Sequence, residues 1–297
     1  MKYTFCLILF VSMFYFPALS QSNGGSIGTE WEVGYSPQKE EKPEEFYPAE
    51  IPGAVHLDYM KAKEKDPWYF DDNFRDYKFL EDKYWHYRTK FSRPEIPWDH
   101  HLYFVSRGID YEFEIRINGE KIHYQEGMFT PVELVLDQHL QEENTLEVII
   151  YSIPKAEGAP VSRRQAKNSV KPAVPYGWDW HPRLVPVGIW NNTYLEVAPG
   201  TRIKEEKLDY QLSGDFDKVS VDYSFRVSEP EDIGYNWVLK DKNGKTIYQK
   251  QGSVGEKGEE DIETTLQDIH LWWPHDQGEP YLYTSILEAR GPEGTII

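Results

Sequence analysis

The run Pro175-Tyr176-Gly177-Trp178-Asp179-Trp180-His181-Pro182-Arg183 holds the residue types in this chain that are best suited to chemistry. Two indoles flank one carboxylate. An indole offers the apolar face of a sugar ring a surface to stack on, and a neighbouring carboxylate can accept hydrogen bonds from two vicinal hydroxyls. Gly177 and Pro182 bracket the group and favour a loop of fixed shape. The pattern fits a sugar-contacting loop in which Trp178 and Asp179 face the ligand. The same residues are compatible with two core tryptophans and an aspartate that caps a turn, because Trp is highly buried on average.

The elements that must hold such a loop read as β. Tyr84 to Phe91, His101 to Ser106, Tyr111 to Ile117, Val132 to Leu136 and Thr145 to Tyr151 are short runs rich in β-branched and aromatic residues. In Tyr111–Ile117 the side chains of Phe113, Ile115 and Ile117 project to one face and Glu112, Glu114 and Arg116 to the other. Asn118-Gly119 supplies the two positive-φ residues of a type I′ hairpin, with Ile122 and Tyr124 on the return strand. Residues 154–175 break the pattern and form a long loop containing Arg163, Arg164 and Lys167, which reads as solvated. Gly188-Ile189-Trp190 and Thr193 to Val197 resume the strands.

Upstream, residues 21–50 are rich in Gly, Pro, Glu and Lys and read as an extended lead-in without elements of its own. Ile51-Pro52-Gly53 signals a turn, Ala54 to Lys63 a short helix, and Asp66-Pro67-Trp68-Tyr69 an aromatic loop. Downstream, Ala198-Pro199-Gly200 marks a domain boundary. Six short runs follow, with Val219, Val221, Tyr223, Phe225 and Val227 alternating cleanly and Asn243-Gly244 as a hairpin turn. They predict an immunoglobulin-like sandwich without the Cys…Trp…Cys signature. It reads as truncated, because Ile297 falls at the start of a further strand. The fold class is therefore all-β: a jelly-roll sandwich over 51–199 and an incomplete immunoglobulin-like sandwich over 200–297.

Composition narrows the partners. Lys2, the apolar stretch Phe5–Phe16 and Ala18-Leu19-Ser20 predict a signal peptide over 1–20, cleaved after Ser20, with no anchor and a secreted or periplasmic product. Cys6, the only cysteine, lies inside it, so the 277 residues that remain rely on packing and not on disulfides. The net charge is −18, and −19 once Lys2 is lost, which repels nucleic acid and anionic lipid. His100-His101 has no second ligand cluster at zinc spacing, and Asp71-Asp72-Asn73 lacks the alternation of a calcium loop. No metal or cofactor is expected. Trp272-Trp273 lies beside Pro274 and reads as packing or an inter-domain contact.

Several motifs, in order, resemble the N-terminal half of glycoside hydrolase family 2 β-mannosidases across about residues 30–290. Pro52-Gly53-Ala54-Val55-His56-Leu57-Asp58 is similar to the family's entry motif. Asp66-Pro67-Trp68-Tyr69 with Asp72-Asn73, Trp85-His86-Tyr87-Arg88, Asn118-Gly119 and Gly127-Met128-Phe129 follow it. Gly177-Trp178-Asp179-Trp180 with Gly188-Ile189-Trp190, and Leu271-Trp272-Trp273-Pro274 with Gly278 to Tyr283, complete the series. The galactose-binding-like character of the jelly roll is part of this resemblance. It also implies that Trp178 and Asp179 reach into the −1 subsite and hold terminal β-linked mannose against a (β/α)8 barrel. Two departures stand out: His181 occupies a usual glycine, and Phe74 stands where a glutamate often follows the asparagine.

Retaining glycosidases need two carboxylic acids about 5–5.5 Å apart. The resemblance places both on the barrel, and no alternating strand–helix pattern occurs in this chain. The expectation is a chain without catalytic residues, whose partners are a β-mannoside glycan and a family 2 barrel, joined in cis in the intact enzyme. A related exo-β-glucosaminidase or endo-β-mannosidase, or a free-standing carbohydrate-binding module, fits the same residues.

Overall fold

The computed structural model describes residues 25–155 and 163–291. The expected signal peptide lies outside these residues. Among the described residues no helix is long and apolar enough to cross a membrane.

In chain order the first strands are β1 (Gly25–Ile27), β2 (Trp31–Ser36) and β3 (Tyr47–Ala49), followed by helix α1 (Val55–Ala62). A 3-10 segment over Asn73–Asp82 leads to β4 (Tyr84–Ser92), β5 (His100–Ser106), β6 (Ile109–Asp110), β7 (Glu112–Ile117) and β8 (Glu120–Glu126). Next come β9 (Val132–Val135), β10 (Glu143–Ile150), β11 (Gly188–Ile189) and β12 (Thr193–Pro199). The last six are β13 (Ile203–Leu212), β14 (Lys218–Val227), β15 (Gly234–Lys240), β16 (Thr246–Ser253), β17 (Glu259–Gln267) and β18 (Thr284–Arg290).

The first sandwich packs a six-stranded sheet, ordered β3-β2-β4-β10-β7-β8, against a four-stranded sheet, β1-β12-β5-β9. A two-stranded pair, β11-β6, closes one end. Register explains the core. Val33 pairs with Tyr87, Tyr87 with Val148 and Val148 with Ile115, so one row of side chains crosses four strands on one face. All four are fully buried, as are Leu102, Phe104 and Leu195 from the facing sheet. Asn118 and Gly119 turn the β7–β8 hairpin with φ of 51° and 85°, as their types require. The Asn118 amide also donates to the His139 carbonyl at 3.0 Å, which ties the hairpin to its neighbour.

The second sandwich has two three-stranded sheets, β13-β14-β17 and β16-β15-β18. Its core gathers Val219, Val221, Tyr223, Phe225 and Val227 from β14 around Trp237 of β15. Tyr223 and Trp237 stack with ring centroids 4.2 Å apart.

One expectation needs correction. Residues 21–50 are not a featureless lead-in. They supply β1, β2 and β3, and Trp31 and Val33 enter the main core. Residues 37–46, which include the charged run Lys39 to Glu45, form an irregular connection that crosses the outer face of the six-stranded sheet. There Gly34 lies against the Glu45 carbonyl so closely that a Cβ would meet it at 2.3 Å. This strap also covers an acid on β7. Glu114 points away from the core, as alternation requires, yet it is fully buried. Burial alone would raise its carboxyl. Hydrogen bonds from Tyr151 (2.6 Å) and Arg116 (2.6 Å), with Lys39 at 3.2 Å, outweigh that and hold it at about 2.

Candidate functional site

The long connection from β10 to β11 carries the Trp-Asp-Trp segment, and it is pinned at its base. Tyr176 is almost fully buried and caps a short 3-10 turn, Val174–Tyr176. Gly177 follows with φ of 116°, and a Cβ there would meet nothing nearer than 4.0 Å. Glycine is therefore needed for its backbone conformation and not for space. Arg183 donates to Glu81 at 2.6 Å, and Lys155 approaches the same oxygen at 3.1 Å. Lys171 forms a buried ion pair with Asp110 at the end of β6 and donates to the Pro186 carbonyl at 2.6 Å. Burial pushes the Asp110 carboxyl up and the Lys171 ammonium down, against their mutual attraction.

The segment after Pro52 braces the far end of the connection. The Gly53 amide donates to Ile189 at 2.9 Å and the Val55 amide to Val187 at 3.0 Å. Gly188 adopts φ of 151° at this contact, where a Cβ would lie 2.9 Å from the Ala54 Cα. Helix α1 then carries His56, edge-on to Trp68 at 5.8 Å, and desolvation lowers this imidazole to about 4. Asp58 is buried. One oxygen accepts the Glu50 amide at 3.1 Å and the other has no partner, so burial raises its carboxyl to about 6.

Between these anchors the tip is a four-residue hairpin. Trp178 donates its amide to the His181 carbonyl at 2.9 Å, and His181 returns the bond at 3.2 Å. The indoles of Trp178 and Trp180 are 42 % and 72 % exposed, so neither is a core residue. Asp179, between them, is exposed and makes no hydrogen bond or ion pair among the described residues. The expected loop therefore presents two indoles and an unengaged carboxylate on a rigid base. One face of Trp178 is covered by the Arg163 guanidinium, 3.6 Å from the ring centroid. His181 fits the hairpin without a positive φ, donates Nδ1–H to the Pro182 carbonyl at 2.6 Å, and stands edge-on to Trp180 at 6.2 Å.

Other sequence candidates serve as framework. Asp72 pairs with Arg75 at 2.9 Å, and the Asn73 amide donates to Pro67 at 3.0 Å. Trp190 donates to the Met128 carbonyl at 3.2 Å and meets Phe129 edge-on. Trp272 and Trp273, expected to pack or to make an inter-domain contact, are 54 % and 48 % exposed. No cluster of His, Cys, Asp and Glu able to hold a metal occurs among the described residues.

Residues 31–191 match the galactose-binding domain-like domain of glycosyl hydrolase family 2, and residues 201–297 match a second domain of glycosyl hydrolases family 2. The chain belongs to glycoside hydrolase family 2. β-Mannosidase B of Neosartorya fischeri is 26 % identical over 256 residues, covering 81 % of this chain and 30 % of that protein. β-Mannosidase B of Aspergillus clavatus is 26 % identical over 249 residues, covering 78 % and 29 %. The chain thus spans about a third of the length of the curated relatives it matches. The β-D-mannosidase of Dictyoglomus thermophilum has the same fold, with a TM-score of 0.73 at 23 % identity over 92 % of this chain and 35 % of that one. A β-glucuronidase of Bifidobacterium dentium superposes with a TM-score of 0.61 at 17 % identity, over 93 % and 46 %. The fold of these two sandwiches thus recurs in a β-D-mannosidase and in a β-glucuronidase.

Proposed function

We propose that this chain is the exported, non-catalytic N-terminal portion of a β-mannosidase-like family 2 glycoside hydrolase. Its first 20 residues are a cleavable signal. Its first sandwich supplies one wall of the −1 subsite, with Trp178 stacking on the terminal mannose and Asp179 accepting hydrogen bonds from its hydroxyls. The second sandwich supports the barrel that brings the two catalytic carboxylates. The observation that carries this reading is the exposed, unengaged Asp179 between two exposed indoles on a base locked by Glu81–Arg183 and Asp110–Lys171. Such a tip costs stability in isolation and is explained by a ligand that covers it.

The barrel completes the site, so the chain alone has no measurable mannosidase activity and binds mannose, mannobiose and glucosamine oligomers only weakly. Calorimetric titration of the whole chain tests this, and tight binding or turnover by it would overturn the division of labour. A chimera joining the chain to the barrel of the D. thermophilum enzyme tests the residues. There, Asp179→Ala and Trp178→Ala each lower kcat/KM on an aryl β-mannoside by about 10²-fold, the effect of losing one well-placed transition-state contact. Unchanged kinetics would remove both from the subsite.

A further inference from the structure

His101 sits where the two sandwiches meet, and both nitrogens of its ring are held by carboxylates. Nδ1 lies 2.5 Å from Asp137, in the 3-10 turn after β9, and Nε2 lies 2.9 Å from Glu229, in the loop between β14 and β15. Carboxylates at these distances accept hydrogen bonds, and a neutral imidazole can donate only one. The arrangement therefore requires the imidazolium. Asp137 belongs to the first sandwich and Glu229 to the second, so the proton on His101 is part of what joins them.

The surroundings separate this contact from the rest of the junction. Arg202 bonds Glu196 of β12 at 2.7 Å and approaches Glu133 of β9 at 3.4 Å, and Lys204 of β13 pairs with the same Glu133. Arg202 also lies over the Tyr103 ring, 4.5 Å from its centroid, and Tyr103 stands edge-on to His101. His100, next along β5, pairs with Asp99 at 2.6 Å. Glu231 and Asp232 continue the Glu229 loop. The groups facing His101 are thus mostly acidic, and the fixed cations Arg202 and Lys204 are committed elsewhere. Glu229 packs over Gly200, where a Cβ would meet its carboxylate at 2.1 Å, and its carbonyl accepts the Thr201 hydroxyl at 3.2 Å.

We propose that His101 is a proton-operated clasp that fixes the second sandwich against the first and releases it on deprotonation, with residues 199–202 as the hinge. When the proton leaves, Nδ1–H stays with Asp137, whose other oxygen is already held by the Leu102 amide at 2.8 Å. Nε2 then turns a lone pair toward Glu229, and attraction becomes repulsion. Hydrogen bonding to Asp137, then to Glu229, outweighs burial and raises the imidazole above its ordinary value. The clasp is therefore fully closed below about pH 6.5 and opens as pH rises through the raised value. The pairs of Arg202 with Glu196 and of Lys204 with Glu133 keep the sandwiches tethered.

Spin labels on exposed residues of each sandwich, Lys90→Cys and Lys250→Cys in the whole chain carrying Cys6→Ser, read the junction as a distance distribution. A narrow distribution at pH 5.5 that broadens by pH 8.5 is expected, with a midpoint matching the His101 imidazole titration followed by NMR. Glu229→Gln removes a charge from an exposed side chain and leaves folding intact. It should move that titration downward and give the broad distribution already at pH 5.5. A distribution that does not change with pH would overturn the clasp. So would a His101 titration at or below about 6.5, or a Glu229→Gln chain that keeps the wild-type pH response.

Discussion

The two sandwiches solve the same packing problem to different degrees. In the first, both faces of the six-stranded sheet are covered: the Val33–Tyr87–Val148–Ile115 row is buried on one side, and the Lys39–Glu45 strap lies over Glu114 on the other. In the second, β13 pairs Leu208 with Tyr223, Tyr210 with Val221 and Leu212 with Val219. Paired residues share a face, so all six point toward the facing sheet. The β14 members are buried, whereas Leu208, Tyr210 and Leu212 are 38 %, 68 % and 36 % exposed. The first unit holds its shape with its own side chains. The second gathers its core around the Tyr223–Trp237 stack and leaves part of its inner face open.

The largest test of that contrast is Trp237→Ala. It removes the stack on Tyr223 and the 2.8 Å bond to Ser285, at a cost of about 3–5 kcal/mol. Because Trp237 lies at the centre of that core, the second sandwich should melt in a separate, earlier calorimetric transition while the first keeps its own. A single shifted transition would mean that the junction couples the two units more strongly than their cores suggest.

Within the first sandwich, Lys171→Met should cost about 3–5 kcal/mol, because Asp110 is left buried and unpaired. Chemical denaturation measures that loss. Limited proteolysis should show where it falls, with cleavage concentrating in the 163–187 connection and sparing the sheets. A uniform loss of protection would show that the pair supports the core and not the loop.

Asp58 gives a smaller effect with a distinctive pH dependence. Its carboxyl is at about 6 in the fold, above the ordinary value of about 3.9. The folded state holds this proton more tightly, so the contribution is fully present below about pH 4 and is lost as pH rises through 6. Asp58→Asn keeps the acceptor for the Glu50 amide and removes the charge. It should stabilise the chain by about 3 kcal/mol at pH 7.5 and by only about 0.5 kcal/mol at pH 4. Urea midpoints at the two pH values decide it, and equal shifts at both would dismiss the titration.

These residues also mark where sequence stops being informative. Strand positions were legible because alternation is local: Phe113, Ile115 and Ile117 announce their face within five positions. The Trp178–His181 tip was legible because Gly177 and Pro182 carry turn chemistry in their own types. The anchors beneath it were not. Arg183 meets Glu81 across 102 positions and Lys171 meets Asp110 across 61, and nothing in a basic loop says which acid it will find. β2 was missed for a different reason: Trp31 and Val33 alternate as a strand should, but the neighbouring Gly, Pro and charged residues dominate the segment's composition.

The smallest expected effect probes the open face directly. Tyr210 is the most exposed of the three inward residues on β13, so Tyr210→Thr removes little buried area while keeping strand propensity. Stability should change by no more than about 0.5 kcal/mol, as at an ordinary surface position. Self-association should fall, because exposed apolar side chains beside an unpaired edge favour contact between copies. Sedimentation velocity at two concentrations measures the second effect and a denaturation curve the first. A loss of a kilocalorie or more would mean that Tyr210 is packed in solution and that the second sandwich closes over its inner face as the first does.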